Sequence, residues 1–182
     1  MSLTILGIVG SLRQGSFNRA LLRAAVELAP ADAVIETFDL APIPLYNGDH
    51  ENDLPAPVRD FKARVRAADA ILFSTPEYNF SIPGVLKNAI DWGSRPHGDN
   101  AWAGKPVAVM GASPGMLGTA RCQYHLRQCF LNLDVIPVTR PEVLIGNAPQ
   151  RFDADLKLTD AKAREMVQRL LDALIALASK ER

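Results

Sequence analysis

Residues 3–18 read Leu3-Thr4-Ile5-Leu6-Gly7-Ile8-Val9-Gly10-Ser11-Leu12-Arg13-Gln14-Gly15-Ser16-Phe17-Asn18. The first seven are a nearly continuous apolar run, the pattern of a strand buried on both faces. From Phe17 to Leu28 the period changes, with Leu21, Leu22, Ala25 and Val26 at helical spacing before Pro30. Gly10 to Asn18 is therefore a strand-to-helix turn built of small, hydroxyl, amide and cationic residues. Such a turn can hold a phosphate: backbone N–H groups converge, Ser11, Ser16 and Asn18 add donors, Arg13 adds charge, and the helix presents its positive end. The same composition also serves an ordinary capped βα turn, so the loop has to be read with the rest of the chain.

The alternation continues. Ala33 to Leu40 reads as a strand, Val58 to Ala68 as a basic amphipathic helix with Val58, Phe61 and Val65 on one face, and Ala70 to Thr75 as a third strand. Pro83 to Gly93 reads as a helix with Leu86 and Ile90 inward and Ser81 as its N-cap. Val107 to Met110 is a fourth strand, Thr119 to Leu131 a helix, Val135 to Val138 and Val143 to Ile145 short strands, and Ala161 to Ala178 the last helix. Ala41 to Pro57 carries four prolines and Asp49, Glu51 and Asp53, and reads as a solvated surface connection. Strand and helix in strict alternation give a parallel sheet covered on both sides. The expectation over residues 1–182 is one α/β domain, a flavodoxin-like doubly wound five-stranded parallel sheet with helices on both faces.

That order has a geometric consequence. The loops after strands one, three and four leave carboxyl ends and should share one rim, where ligands of such folds bind. The second, Pro76-Glu77-Tyr78-Asn79-Phe80-Ser81, offers amides, an acid and two aromatic rings. The third carries Ser113 and Gly115. An anion cradle beside two amide-and-aromatic loops suits a ligand with a phosphate tail and a flat heterocycle, as in flavin mononucleotide (FMN). A dinucleotide fingerprint G-x-G-x-x-G is missing, so Asp39 reads as a strand-end residue, and no Lys-Ser or Lys-Thr follows a glycine run as a P-loop requires.

Composition excludes other classes. Formal net charge is +0, from 20 basic and 20 acidic residues, so no basic excess marks a nucleic acid or anionic membrane as partner. No apolar run is long enough to span a bilayer. Cys122 and Cys129 are seven apart on one helix, roughly 10 Å, too far to bridge. With no basic n-region ahead of Leu3, the expectation is a cytoplasmic protein with reduced thiols. His50, His97 and His125 lack ligand spacing. Ser11 and Ser16 lack a patterned His and acid for hydrolysis. Glu77 and Asp91 could pair, but Asp91 reads as a solvated or capping charge. Arg121, Tyr124, His125 and Arg127 form a polar helix face, either solvated or at a subunit interface.

The stretches Gly10 to Asn18, Thr75 to Gly84 (Thr75-Pro76-Glu77-Tyr78-Asn79-Phe80-Ser81-Ile82-Pro83-Gly84) and Leu86 to Trp92 resemble the NADPH-dependent FMN reductase family. Ala120 to Gln128 is similar to its bacterial chromate/quinone reductase branch. The resemblance covers residues 3 to 145. It implies that Ser11, Arg13, Ser16 and Asn18, with the Phe17 backbone, hold the FMN phosphate. Pro76, Glu77, Tyr78, Asn79 and Phe80 would line the ring and ribityl chain, and Ser113 with Gly115 would close the far side. It also implies NADPH or NADH as hydride donor, small-molecule electron acceptors such as quinones, chromate, azo compounds or free flavin, and a homodimer or homotetramer. No side chain is required as a nucleophile, so none is assigned as catalytic. Tyr78 is a ring beside the flavin or a proton donor. The rival from another class is a flavodoxin-like electron carrier or redox-sensing protein. Flavodoxins are commonly strongly acidic, which this chain is not.

Overall fold

The computed structural model describes residues 2–181. The strands are β1 (Leu3–Val9), β2 (Ala33–Phe38), β3 (Ala70–Ser74), β4 (Pro106–Ala112), β5 (Ile136–Pro137) and β6 (Val143–Ile145). The helices are α1 (Phe17–Leu28), α2 (Ala56–Ala67), α3 (Gly84–Gly93), α4 (Ala120–Leu133) and α5 (Ala161–Lys180). All pairings between these strands are parallel, in the order β2-β1-β3-β4-β5, with β6 also on β4. The fifth position of the sheet is thus filled by two short segments. β5 pairs with Pro106 and Val107 at the start of β4, and β6 with Met110 to Ala112 at its end. Pro137 and Pro141 cannot donate to a ladder, which accounts for the break.

Two apolar layers cover the sheet. α1 and α5 pack on one face with Ile5, Ile35, Leu72 and Met110. α2, α3 and α4 pack on the other with Leu6, Ile8, Ile71 and Val109. Ser16 caps α1, its Oγ accepting from Asn18 N and Arg19 N, so the helix begins where the small polar loop ends. The long connection after β2 is mostly exposed but docks at one point: the Pro44 carbonyl accepts from Trp92 Nε1 and Asn88 Nδ2, both at 2.8 Å. α3 begins at Gly84 after Pro83 and has no side-chain cap. The expected cap, Ser81, serves the preceding turn instead. Among the described residues, no helix is long and apolar enough to cross a membrane.

One core position defies the residue type. Lys62 stands four residues after Val58, on the inward face of α2, and is 1% exposed. Its Nζ donates to Asp99 Oδ2 (2.7 Å), to the Asp99 carbonyl (2.9 Å) and to the Arg95 carbonyl, which ties the 94–105 segment to α2. The hydrogen bond from Lys62, helped by Arg66, holds the Asp99 carboxyl below its ordinary value. A lowered folded pKa stabilises above the unfolded value, and the contribution is lost as pH falls through the folded one. Lys62→Met should therefore cost about 1–3 kcal/mol at neutral pH, because it removes the Arg95 carbonyl's donor and leaves the half-exposed Asp99 to Arg66 alone. It should also lose less further stability than wild type between about pH 5 and pH 3. Denaturant titrations at several pH values read both effects.

Candidate flavin site

The three loops do meet on one rim. Gly10 N donates to the Ser74 carbonyl at 2.9 Å, laying loop 1 against the end of β3. A Cβ at Gly10 would lie 2.8 Å from Thr75 Oγ1, so glycine is needed there for close approach. Gly15 has nothing within 4 Å of that position and faces open space. Ser11 is buried, and its Oγ lies 3.5 Å from Tyr78 Oη, joining loop 1 to loop 2. Among the described residues, the amides of Leu12, Gln14, Gly15 and Phe17 donate to no protein acceptor. With the buried Ser16 hydroxyl and the start of α1, they leave several unpaired donors within one short loop, the composition that takes an anion.

Two expected phosphate ligands have other primary partners. Asn18 is buried, and its side chain clamps the end of β4: Nδ2 donates to the Ala112 carbonyl at 2.9 Å and Oδ1 accepts from Ala112 N at 2.8 Å. Its own carbonyl accepts from Ser74 Oγ at 2.8 Å. Asn18 is therefore a strut between loop 1, β3 and β4, with one of its two Nδ2–H donors engaged by the Ala112 carbonyl. Arg13 is exposed and folds back on its own loop, one Nη donating to the Gly15 carbonyl at 2.6 Å. Its remaining donors stay at the mouth of the loop.

Loop 2 is a tight turn under strain. Tyr78 and Ser81 exchange backbone hydrogen bonds of 3.2 and 2.9 Å. Between them Asn79 (φ 49°) and Phe80 (φ 63°) are both left-handed, which is the geometry of a type I′ turn. Asparagine tolerates that region, whereas phenylalanine there costs about 1–2 kcal/mol. The compensation comes from α4. The Arg121 guanidinium lies over the Phe80 ring, 3.6 Å from its centroid. Arg121 Nε also donates to Glu77 Oε1 at 2.7 Å, while Glu77 Oε2 accepts from Cys122 N at 3.1 Å. The nearly buried Glu77 carboxylate thus belongs to the start of α4, where a negative group meets the helix's positive end. It does not pair with Asp91, which bridges to Lys87. Ser81 Oγ lies 3.0 Å from His125 Nδ1. The outcome is a fixed display of two rings, with Tyr78 half exposed and Phe80 62% exposed.

Loop 3 is anchored from behind. Ser113 Oγ accepts from Gly115 N at 3.2 Å, and the carbonyls of Ser113 and Gly115 accept from Ala148 N and Asn147 N. A Cβ at Gly146 would meet the Met116 carbonyl at 2.2 Å, so this packing requires glycine. Cys122 sits below the rim, its thiol pushed up to about 11 by burial, and so stays protonated and unreactive near neutral pH.

The residues fit a mononucleotide: unpaired loop 1 donors for phosphate, then two exposed rings along the rim. The model of the NADPH-dependent FMN reductase family matches residues 3–150. The chain belongs to that family. As a member of the NADPH-dependent FMN reductases it is an oxidoreductase, with FMN as the family's cofactor. It is 54% identical over 171 residues to an NAD(P)H-dependent FMN reductase of Pseudomonas aeruginosa, covering 93% of this chain and 92% of that one. It is 43% identical over 176 residues to a 2-hydroxy-1,4-benzoquinone reductase of a Burkholderia species, covering 97% and 96%. Among solved structures it resembles FerB of Paracoccus denitrificans, a flavoenzyme NAD(P)H:(acceptor) oxidoreductase, with a TM-score of 0.91, 38% identity and 98% of each chain covered.

The residues that sequence reasoning missed are those that support the loops. Arg121 and the Cys122 amide hold loop 2 from the start of α4, distant in sequence. Arg121 had been visible only as part of a polar helix face.

Proposed function

We propose that this chain is an NAD(P)H-dependent reductase of quinones and similar small acceptors, chromate, azo compounds and free flavin among them, working through FMN held on the three-loop rim. The observation that carries the reading is the union of loop 1's unpaired amides with the strained display of Tyr78 and Phe80, joined by the Ser11–Tyr78 contact. Ser11, Arg13, Ser16 and the Phe17 amide take the phosphate. Asn18 holds these donors in register through Ala112. Pro76 to Phe80 line the ring and ribityl chain, and Ser113 with Gly115 borders the far side. Bound FMN supplies the two-electron chemistry, accepting a hydride from NAD(P)H and passing electrons to the acceptor. The protein's part is to orient the ring, leave one face open to donor and acceptor in turn, and set backbone N–H groups against developing negative charge. No side chain is assigned a bond-making role, and Tyr78 serves as a packing ring.

The working unit is a homodimer or homotetramer in the cytoplasm. Phe80, Met116, Leu117, Tyr124 and Leu131 are exposed along loops 2 and 3 and α4, and a second copy of the chain would cover this apolar surface. An electron-carrier role is the weaker reading, because a carrier gains from strong acidity and an enclosed ring, whereas this chain is neutral and its rings are exposed.

The purified protein should be yellow with flavin absorption bands, which NADPH or NADH should bleach anaerobically and a quinone restore. A flavin that stays oxidised in excess NADPH and NADH would refute the reductase reading.

A further inference from the structure

Loops 1 and 3 are joined by a segment that belongs to neither. Behind loop 3, Ser113 N donates to the Ile145 carbonyl at 2.9 Å, and the Ser113 carbonyl accepts from Ala148 N at 3.0 Å. The chain then makes one 3₁₀ turn, Ala148–Gln150, with Ala148 buried. Phe152 follows, 6% exposed, its amide donating to the Ala148 carbonyl at 3.3 Å. Its ring meets that of Phe17, with centroids 5.3 Å apart and planes tilted by 43°. Phe17 is the first residue of α1, immediately after the Ser16 cap.

Phe152 is itself held from both sides. It bridges to Leu158 in antiparallel fashion, and the Arg151 carbonyl accepts from Thr159 N at 3.0 Å. Between them Asp153 Oδ1 accepts from Asp155 N and Lys157 N, at 3.0 and 2.8 Å, which closes the turn. Asp160 pairs with Arg151 and caps α5 by accepting from Ala163 N at 2.8 Å. The Phe152 ring is thus presented to Phe17 by a closed turn, rooted in loop 3 at one end and in α5 at the other.

The contact bears on one donor in particular. Ser16 Oγ takes the amides of Asn18 and Arg19, so among the first three amides of α1 only that of Phe17 is left for a ligand. The direction of that N–H follows the Phe17 backbone, and a ring held by a buried partner fixes the backbone before any anion arrives. A donor already in place loses less freedom on binding. An aromatic pair at this separation also attracts beyond the area it buries.

We propose that Phe152 is a positioning residue for the FMN phosphate. Through the Phe17 ring it fixes the Phe17 amide and the start of α1, and through Ala148 it sets loop 1 against loop 3. The proposal rests on the phosphate reading of loop 1.

The test compares FMN with riboflavin, which lacks the phosphate, by quenching of flavin fluorescence on titration with apoprotein. Phe152→Leu keeps an apolar side chain and loses the ring pair. It should weaken FMN binding about three- to tenfold and leave riboflavin within about twofold of wild type. Phe152→Ala should widen the FMN loss to about 10- to 50-fold; if it does not fold, Phe152→Leu decides. Leu174→Ala is the control for lost packing alone. It empties a buried position in the same apolar layer, about 20 Å along α5 from its start. It should lower the unfolding midpoint and leave the preference for FMN over riboflavin unchanged. A preference in Phe152→Leu within about twofold of wild type would overturn the proposal, as would an equal fall in Leu174→Ala. Wild type binding riboflavin as tightly as FMN would take the phosphate away from loop 1, and the role of Phe152 with it. A strong wild-type preference that survives Phe152→Leu would overturn the role of Phe152 alone.

Discussion

Asn18→Ala is expected to destabilise the protein by about 2–4 kcal/mol, because it leaves the buried N–H and C=O of Ala112 without partners. Few polar side chains here are as thoroughly used. The Asn18 amide both donates to and accepts from one residue of β4, at 2.9 and 2.8 Å, while its carbonyl takes the Ser74 hydroxyl of β3. The truncated side chain also removes the link that registers loop 1 against the other two loops. FMN should therefore bind more weakly even under conditions where the variant stays folded. Asn18→Asp tests the donor half of the clamp alone. It fills the same volume and keeps the acceptor for Ala112 N, but turns an oxygen toward the Ala112 carbonyl, so it should also be destabilised. In thermal unfolding, Asn18→Ala should lower the midpoint by roughly 5–15 °C. A midpoint within about a degree of wild type would mean that water replaces the clamp without loss.

Arg13→Ala should weaken FMN binding by roughly 10- to 150-fold, the range for losing one charge-assisted hydrogen bond to phosphate. The stability of the flavin-free protein should change by less than about 0.5 kcal/mol. The two expectations differ because of where Arg13 stands. It is exposed, and its one side-chain hydrogen bond among the described residues, to the Gly15 carbonyl, lies within its own loop. Nothing in the core depends on it, while its free donors face the mouth of the loop. Arg13→Lys keeps the charge but loses the planar fork, and should fall between wild type and alanine. Quenching of flavin fluorescence on titration with apoprotein reads the affinity. Unchanged affinity in Arg13→Ala would remove Arg13 from the phosphate site.

Much of this could be read before any coordinates. β1 was legible because Leu3 to Val9 is apolar at almost every position, and only a strand covered on both faces wants that pattern. α1 was legible because Leu21, Leu22 and Ala25 recur at its period before Pro30. That loops 1, 2 and 3 share a rim followed from strict alternation and right-handed crossovers, which put every strand's carboxyl end on one side. The break between β5 and β6 was foreshadowed by two separate short apolar runs flanking Pro141. Lys62 was visible at a core spacing on α2, but its partners, Asp99 and the Arg95 carbonyl, are more than thirty residues away and leave no local signal.

The roles of individual site residues were the least legible. Ser81 looked like a helix cap and proved to close a turn, because two successive left-handed residues at Asn79 and Phe80 reverse the chain before α3 begins. Glu77 could have paired with Asp91 and instead holds Arg121 and the Cys122 amide, since the start of α4 attracts a carboxylate. Asn18, expected at the phosphate, also serves as a strut that ties loop 1 to β3 and β4. Residue type and spacing determined the parallel α/β sheet, the three loops on its edge and the chemistry available to them, because hydrophobic periodicity and capping act over a few residues. Which loop side chains face outward and which are held inside was decided only by tertiary structure. A polar group's orientation depends on whichever unpaired backbone groups and charges the fold brings within 3 Å of it, and at Gly10 to Asn18 those come from β3, β4 and Tyr78.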